Sequence, residues 1–184
     1  MMTPSSAYLP FYILFLLFGA IERVISTFSY KKNVSIKKIS DKWFFVPFYG
    51  YLALIACSIL EFFIRIRTVN LTLSIWGLIF YLLGVFLRRG SISALGNDWS
   101  VYSEIKEGQI LRTSGVYKFL KHPYYLAVFL ELLGACLIAN ALFTLSMLFF
   151  IQSPILVMRI YFEEKMLTQH FGNKYEVYKK GKLI

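Results

Sequence analysis

Long apolar blocks separated by short polar segments dominate the pattern of hydrophobic and polar positions in this chain. Three blocks occupy residues 8–25, 43–64 and 71–87, and a fourth runs from residue 124 to residue 160. A transmembrane helix needs about 20 predominantly apolar residues, because the hydrocarbon core of a bilayer is about 30 Å thick. Each of the first three blocks therefore predicts one membrane-spanning helix.

The fourth block is too long for one span. Its 37 residues would form a helix about 55 Å long, far longer than the hydrocarbon core is thick. Two spans fit if the chain reverses tightly, and Asn140, between Ala139 and Ala141, is the polar position that suits such a turn. We therefore predict an all-α integral membrane protein with about five transmembrane helices, the last two forming a tight helical hairpin.

The division of the chain follows from these blocks. We predict a single domain over residues 1–184, with three N-terminal spans in residues 1–87 and the chemically richer half in residues 88–184. The polar stretch 88–122 contains no segment apolar enough to cross a bilayer. It is predicted to be a cytoplasmic loop, and the C-terminal tail is predicted to be cytoplasmic as well.

Charge sets the predicted orientation. The net charge is +10, with 20 Lys and Arg against 10 Asp and Glu, yet only 16% of the residues are charged and 58% are hydrophobic. The cations cluster in loops between apolar blocks, which favours a role in topology and headgroup contact over nucleic-acid binding. Five lysines in residues 31–42 predict a cytoplasmic first loop and an N-terminus outside. The membrane would be the plasma membrane in a prokaryote and the endoplasmic reticulum in a eukaryote.

The last apolar segment carries a polar stripe. Arg159 and Glu163 are four residues apart and share a helix face, and the helical period adds Gln152 and His170 to that face. A polar stripe on an apolar helix requires a polar cavity or a polar partner. The alternative interpretation is that these residues only mark where the helix leaves the lipid.

A second candidate segment begins the fourth apolar block. Pro123 is favourable in the first turn of a helix, so His122 is predicted at the N-terminal end, where the partial positive charge and the free N–H groups suit a carboxylate. An interfacial helix cap is the alternative.

Near the C-terminus, Gly172 is predicted to end a helix. Tyr175 and Tyr178 are predicted to share one face of an interfacial tail helix that acts as an anchor.

The order of these segments resembles the isoprenylcysteine carboxyl methyltransferase family of S-adenosylmethionine-dependent membrane enzymes. The resemblance covers about residues 109–180. The segments that carry it, in chain order, are Leu111, Thr113-Ser114-Gly115-Val116-Tyr117, His122-Pro123-Tyr124-Tyr125, a membrane hairpin, Arg159, Glu163-Glu164, Phe171-Gly172 and Tyr175-Glu176-Val177-Tyr178-Lys179-Lys180.

The resemblance implies S-adenosylmethionine as cofactor, no metal, and a lipophilic, prenylcysteine-like methyl acceptor in the bilayer. It implies that Arg159 binds the acceptor and that Arg159 and Glu163 form the catalytic pair. The residues that it assigns to the cofactor are Gln109, Ile110, Leu111, Arg112, Tyr117, His122, Pro123, Tyr124, Tyr125 and Glu163. Such a site suits methyl transfer to a carboxylate, because an α-carboxyl is ionised at pH 7 and needs no base, and the planar fork of an arginine can orient it.

Three other functions remain open from the sequence. A phospholipid amine could replace the carboxylate as methyl acceptor, in which case Arg159 would matter little. A membrane reductase is a second alternative, because sterol reductases share a related His-Pro segment. A non-catalytic membrane scaffold is the third, in which Arg159 and Glu163 only end a helix.

Overall fold

The computed structural model describes residues 1–28, 45–65, 67–99 and 110–182. Within these ranges the regular helices are α1 (Ser5–Phe28), α2 (Phe45–Arg65), α3 (Leu71–Leu95), α4 (Pro123–Ile138), α5 (Leu142–Met147), α6 (Ser153–Phe171) and α7 (Asn173–Lys179). A π-helical turn (Leu148–Gln152) joins α5 to α6, and two 3₁₀ turns lie at Gly96–Asp98 and Gly115–Lys118. Two short strands, β1 (Met2–Pro4) and β2 (Thr68–Asn70), pair antiparallel.

The helices confirm the prediction of an all-α integral membrane protein. Within the described residues, the helical stretches long and apolar enough to cross a bilayer are Ser5–Ser26, Phe45–Arg65, Leu71–Leu95 and Leu142–Phe171. Helix α4 is a shorter apolar helix of 16 residues. The count of five spans therefore stays a prediction, as does the hairpin as a membrane-spanning unit.

Helix α3 is longer than predicted. The sequence pattern placed its end at Leu87, but the helix continues to Leu95 and stops where Gly96 adopts a φ of 55°. The extension carries Arg88, which is only 1% exposed. Arg88 remains buried because it donates to two carboxylates: Glu22 of α1, and Glu131 of α4 with an Nε–Oε1 distance of 2.6 Å. The polar character of this segment thus reflects ion pairing inside the bundle, not the end of the helix.

Arg88 belongs to a larger charge cluster formed by Glu22, Arg23, Arg88, Arg89 and Glu131. Arg23 Nη1 lies 2.7 Å from Glu131 Oε2, and Arg89 Nε lies 2.8 Å from Glu22 Oε1. The guanidinium of Arg23 also stacks 4.4 Å from the ring centroid of Tyr51 on α2. Charges within a membrane protein persist only when they are paired, so this cluster ties α1, α3 and α4 together.

Helices α3 and α4 pack with their backbones in direct contact. A Cβ atom added at Gly134 would lie 2.6 Å from the carbonyl oxygen of Gly77 and 2.6 Å from the amide nitrogen of Tyr81. A Cβ atom at Gly84 would lie 2.9 Å from the carbonyl oxygen of Ala127. Small residues at such positions let membrane helices approach closely, and here they make α3–α4 the central helix pair of the bundle.

The chain turns after α4 at Asn140, which has a φ of 54°. Its side-chain Oδ1 accepts from the amide of Asn70 at 2.7 Å, and its Nδ2 donates to Ser74 Oγ at 2.9 Å. Glu61 of α2 then accepts from the backbone amides of Phe143 and Thr144, which begin the next helix. The turn is therefore fixed by side chains from two other helices.

The same end of the molecule carries the N-terminal ribbon. Strand β1 pairs with β2 in the register Met2 to Asn70, and Asn70 contacts the turn at Asn140. At the opposite end, α4 begins beside the C-terminal half of α6. The ribbon and the Asn140 turn thus lie at one end of the molecule, and the predicted site lies at the other.

Candidate functional site

Helix α4 begins at His122-Pro123, as the sequence pattern indicates, with Pro123 in the first turn. His122 is 3% exposed, but its side chain does not cap its own helix. Its Nε2 instead lies 3.3 Å from Glu164 Oε1 on α6, and Lys121 Nζ lies 3.4 Å from the same oxygen. The histidine therefore joins α4 to α6 and leaves the N–H groups of the first turn of α4 without a side-chain cap.

A second contact joins the same two helices through the neighbouring carboxylate. The hydroxyl of Tyr125 donates to Glu163 Oε2 at 2.5 Å. His122 and Tyr125 on α4 thus face Glu164 and Glu163 on α6, and α4 and α6 run antiparallel. The structure brings together two segments, 122–125 and 159–164, that lie almost 40 residues apart in sequence.

Arg159 lies one helical turn before Glu163 and is 5% exposed. It lines a crevice between α2 and α6 together with Pro47 and Phe162. Deeper in the bundle, an apolar cavity of about 80 Å³ lies between the same helices, and Gly50, Leu54 and Cys57 are among its lining residues. The buried Arg159 therefore lies in a crevice that shares one lining residue, Ile155, with an apolar cavity.

The residues predicted to form one polar stripe on the last apolar segment lie in different surroundings. Gln152 is buried and donates from Nε2 to the carbonyl oxygen of Pro47 at 3.2 Å, whereas His170 is exposed. The π-helical turn at Leu148–Gln152 lies in the stripe and departs from the regular helical period that the sequence argument assumed. Arg159 and Glu163 remain as the central part of the stripe.

The loop that carries Tyr117 is held by the C-terminal tail. The carbonyl oxygen of Tyr117 accepts from Tyr178 Oη at 2.9 Å and from Lys182 Nζ at 2.8 Å. Tyr175 and Tyr178 are both buried, and burial raises the pKa of Tyr178 to about 12. The two tyrosines do share a face, as predicted, but that face packs on protein. The interpretation of this face as a membrane anchor is therefore wrong.

Tyr117 itself lies close to the carboxylates of α6. Burial raises the pKa of the Tyr117 hydroxyl, and the negative charge of Glu163 raises it further. The hydroxyl is therefore protonated at physiological pH and can act as a hydrogen-bond donor. The loop thus places a neutral phenol near the Tyr125–Glu163 contact.

The remaining residues that the resemblance assigns to the cofactor lie in different surroundings. Ile110 and Leu111 line an open cleft of about 870 Å³ against the tail, which contributes Phe171, Val177 and Tyr178. Arg112 pairs with Asp98, with 2.9 Å between Nη2 and Oδ2. Gln109 lies outside the described residues. The described cofactor residues thus do not form one cluster: some lie at the α4–α6 contact, Ile110 and Leu111 line the cleft, and Arg112 pairs with Asp98.

Two polar groups near these residues were missed by the sequence argument. The ring of Trp99 packs on Tyr124 with 4.7 Å between centroids, and its Nε1 is buried without a hydrogen-bond partner in the described part of the chain. The hydroxyl of Tyr175 is likewise buried without a hydrogen-bond partner among the described residues. Buried donors are almost always paired, so both atoms require a partner that the described residues do not supply. The aromatic pattern of the tail made Tyr175 visible in the sequence, but nothing local indicated Trp99.

These features define an α-helical integral membrane protein with a recessed polar site. The site lies where the start of one apolar helix meets the charged end of another.

The comparisons with known proteins assign the chain more closely. The model of the isoprenylcysteine carboxyl methyltransferase (ICMT) family matches residues 77–169, which include most of α3, all of α4 and nearly all of α6. The chain therefore belongs to this family.

The curated relatives carry one recurring name. The chain is similar to the protein-S-isoprenylcysteine O-methyltransferase of Tribolium castaneum, with 31% identity over an alignment of 180 residues that covers 86% of this chain and 61% of the relative. The enzyme of the same name from Xenopus laevis is 35% identical over 59% of this chain and 38% of the relative. The Schizosaccharomyces pombe enzyme is 29% identical over 55% of this chain and 44% of the relative. The chain spans about half the length of the curated relatives that it matches.

Proposed function

We propose that this protein transfers a methyl group from S-adenosylmethionine to the carboxylate of a lipophilic, prenylcysteine-like acceptor. The observation that carries the proposal is the Tyr125–Glu163 contact, which lies one helical turn from the buried Arg159. Family membership and the names of the curated relatives support the reaction class.

The residues at the site fit a cofactor that carries a cationic sulfonium, an ammonium and ribose hydroxyls. Glu163 and Glu164 supply carboxylate acceptors, and the rings of Tyr124 and Tyr125 supply aromatic faces, which attract cations. Trp99 Nε1, which has no partner among the described residues, supplies a donor. The cofactor, when bound, supplies the electrophilic methyl group.

The residues proposed to hold the cofactor come from three elements. His122, Pro123, Tyr124 and Tyr125 contribute the start of α4, and Glu163 contributes the opposing carboxylate. Tyr117 adds the neutral hydroxyl described above. Ile110 and Leu111 contribute the wall of the cleft, and Gln109 and Arg112 are proposed to complete the cofactor-binding segment.

Arg159 is proposed to bind the acceptor carboxylate. A free carboxylate is already ionised at pH 7, so the site must orient it and exclude water. The planar guanidinium can hold both oxygens, and correct orientation contributes several kcal/mol to catalysis. Because Arg159 is buried, its interaction with the acceptor is screened only weakly by water.

The crevice and the apolar cavity between α2 and α6 support a lipid-soluble acceptor. Arg159 lies in the crevice, and Ile155 lines both spaces. An isoprenoid chain placed between these helices would bury its apolar surface while its carboxylate reached Arg159. The bilayer is therefore the medium from which the acceptor arrives.

The proposed orientation places the site end in the cytoplasm, where the cofactor is made, with the N-terminus outside and the C-terminus inside. The lysines in residues 31–42 support this orientation through the excess of positive charge in cytoplasmic loops. The proposed membrane is the plasma membrane in a prokaryotic host and the endoplasmic reticulum in a eukaryotic host.

The test is an assay of methyl transfer from labelled S-adenosylmethionine by the purified protein in lipid, with N-acetyl-S-farnesylcysteine as acceptor. We expect labelled ester with the wild type and a loss of at least about a hundredfold in kcat/KM for Arg159→Ala, which corresponds to about 2.7 kcal/mol. Lys165→Ala, an exposed change on the same helix, is the matched control and should keep the wild-type rate. If the protein methylates phosphatidylethanolamine and Arg159→Ala does so at the wild-type rate, the proposed acceptor is refuted.

A further inference from the structure

Tyr175 presents a buried hydroxyl that no other part of the described structure satisfies. The side chain is 1% exposed, and its Oη meets no hydrogen-bond partner among residues 1–28, 45–65, 67–99 and 110–182. An unsatisfied buried hydroxyl costs free energy relative to a phenylalanine ring of the same shape. Such an atom needs an explanation, and a bound ligand is one.

The position of Tyr175 points to the kind of ligand. Its ring packs against Tyr178, with 5.9 Å between centroids, on the tail that holds the Tyr117 loop. Burial raises the pKa of Tyr175, and the negative charges of Glu164 and Glu163 raise it further. The hydroxyl therefore remains protonated, and it interacts electrostatically with the two carboxylates that contact the start of α4.

We propose that the Tyr175 hydroxyl binds the amino-acid end of S-adenosylmethionine, beside Glu163 and Glu164; this inference rests on the proposed function. The cofactor's ammonium provides donors for the two carboxylates and for Oη. The hydroxyl can at the same time donate to the cofactor's carboxylate. The tail thus becomes part of the binding site, and the ligand satisfies a group that the described residues leave unpaired.

Two other tyrosines provide controls for this proposal. Tyr12 is equally buried, at 1% exposure, but it packs on Phe62 in the bundle, with 4.2 Å between centroids, away from the candidate site. Tyr178 lies beside Tyr175, yet its hydroxyl is already paired with the carbonyl oxygen of Tyr117. Tyr12→Phe tests whether removing a buried hydroxyl far from the site also weakens binding. Tyr178→Phe tests whether loss of the hydrogen bond that holds the Tyr117 loop has the same effect as loss of the Tyr175 hydroxyl.

The experiment measures binding of S-adenosylhomocysteine by calorimetry, and thermal stability without ligand, for the wild type and for Tyr175→Phe, Tyr12→Phe and Tyr178→Phe. We expect Tyr175→Phe to weaken binding about tenfold, the effect of one lost hydrogen bond to a charged group. Its unliganded melting temperature should equal or exceed that of the wild type. Tyr12→Phe should bind like the wild type, and Tyr178→Phe should melt at a lower temperature.

A second ligand, 5′-deoxy-5′-methylthioadenosine, tests which part of the cofactor Tyr175 contacts, because this compound lacks the amino-acid end. The wild type and Tyr175→Phe should bind this compound equally well. Two results would overturn the inference and leave the proposed function standing. In the first, Tyr175→Phe weakens the binding of both compounds equally. In the second, Tyr175→Phe binds S-adenosylhomocysteine with wild-type affinity. A wild-type protein that is folded but binds neither ligand would overturn the proposed function, and the inference would fall with it.

Discussion

Neutralising Glu131 tests whether the charge cluster holds the bundle together. Glu131 accepts from Arg88 at 2.6 Å and from Arg23 at 2.7 Å. The change Glu131→Gln preserves the size of the side chain but removes the charge. Arg88 then keeps one carboxylate partner, Glu22, and its contact with Ser26, but it loses the charge of the second carboxylate.

The expected loss follows from the burial of these groups. The side chains of Glu131 and Arg88 are each 1% exposed, and removal of one partner from a buried pair costs about 3–5 kcal/mol. The side chain of Arg23 is 26% exposed, so water compensates part of its loss. We therefore expect the free energy of unfolding to fall by about 3 kcal/mol.

The assay is equilibrium unfolding in mixed micelles, with the fraction of folded protein followed as the proportion of denaturing detergent rises. Arg89→Gln is the matched control, because its side chain is 59% exposed while it pairs with Glu22 of the same cluster. Exposed pairs contribute about 0–1 kcal/mol. Equal losses for Glu131→Gln and Arg89→Gln would refute the argument that burial gives the cluster its strength.

Three further changes test other parts of the structure. Gly134→Leu places a side chain against the backbone of α3 and should lower the free energy of unfolding by more than about 3 kcal/mol in the same titration. Tyr178→Phe removes the hydrogen bond to Tyr117 and should speed amide exchange across residues 115–120, while Lys165→Ala should leave it unchanged. Glu163→Gln should abolish the stabilisation of about 2.7 kcal/mol that S-adenosylhomocysteine gives the wild type at 100 times its dissociation constant, measured by thermal shift.

The membrane fold could be predicted because its main cause is local. Each apolar block is continuous in sequence, and the bilayer imposes a length that can be counted. The end of α3 could not be predicted in the same way, because the partners that allow Arg88 to be buried are 66 and 43 residues away. A pair of arginines after an apolar block is equally typical of a helix that leaves the membrane.

The candidate site was partly visible in the sequence for a related reason. The spacing of Arg159 and Glu163 indicates a shared face, but it does not indicate what the face contacts. The tail shows this limit most clearly. An amphipathic face with Tyr175 and Tyr178 suits lipid and protein equally well, and only the fold shows that it packs on the Tyr117 loop.

The short length of α4 explains where this site lies. Sixteen residues give a helix about 24 Å long, which is less than the ~30 Å hydrocarbon core. Its C-terminal end is fixed beside the N-terminal ribbon through Asn140 and Asn70, so in a bilayer a helix of this length would start short of the far side of the hydrocarbon core. The carboxylates of α6 contact α4 at that start. In the proposed function, a water-soluble cofactor reaches this level from the cytoplasmic side and the acceptor reaches it from within the bilayer. A full-length helix at this position would carry His122 and Tyr125 further out, away from Arg159 and from the apolar cavity between α2 and α6.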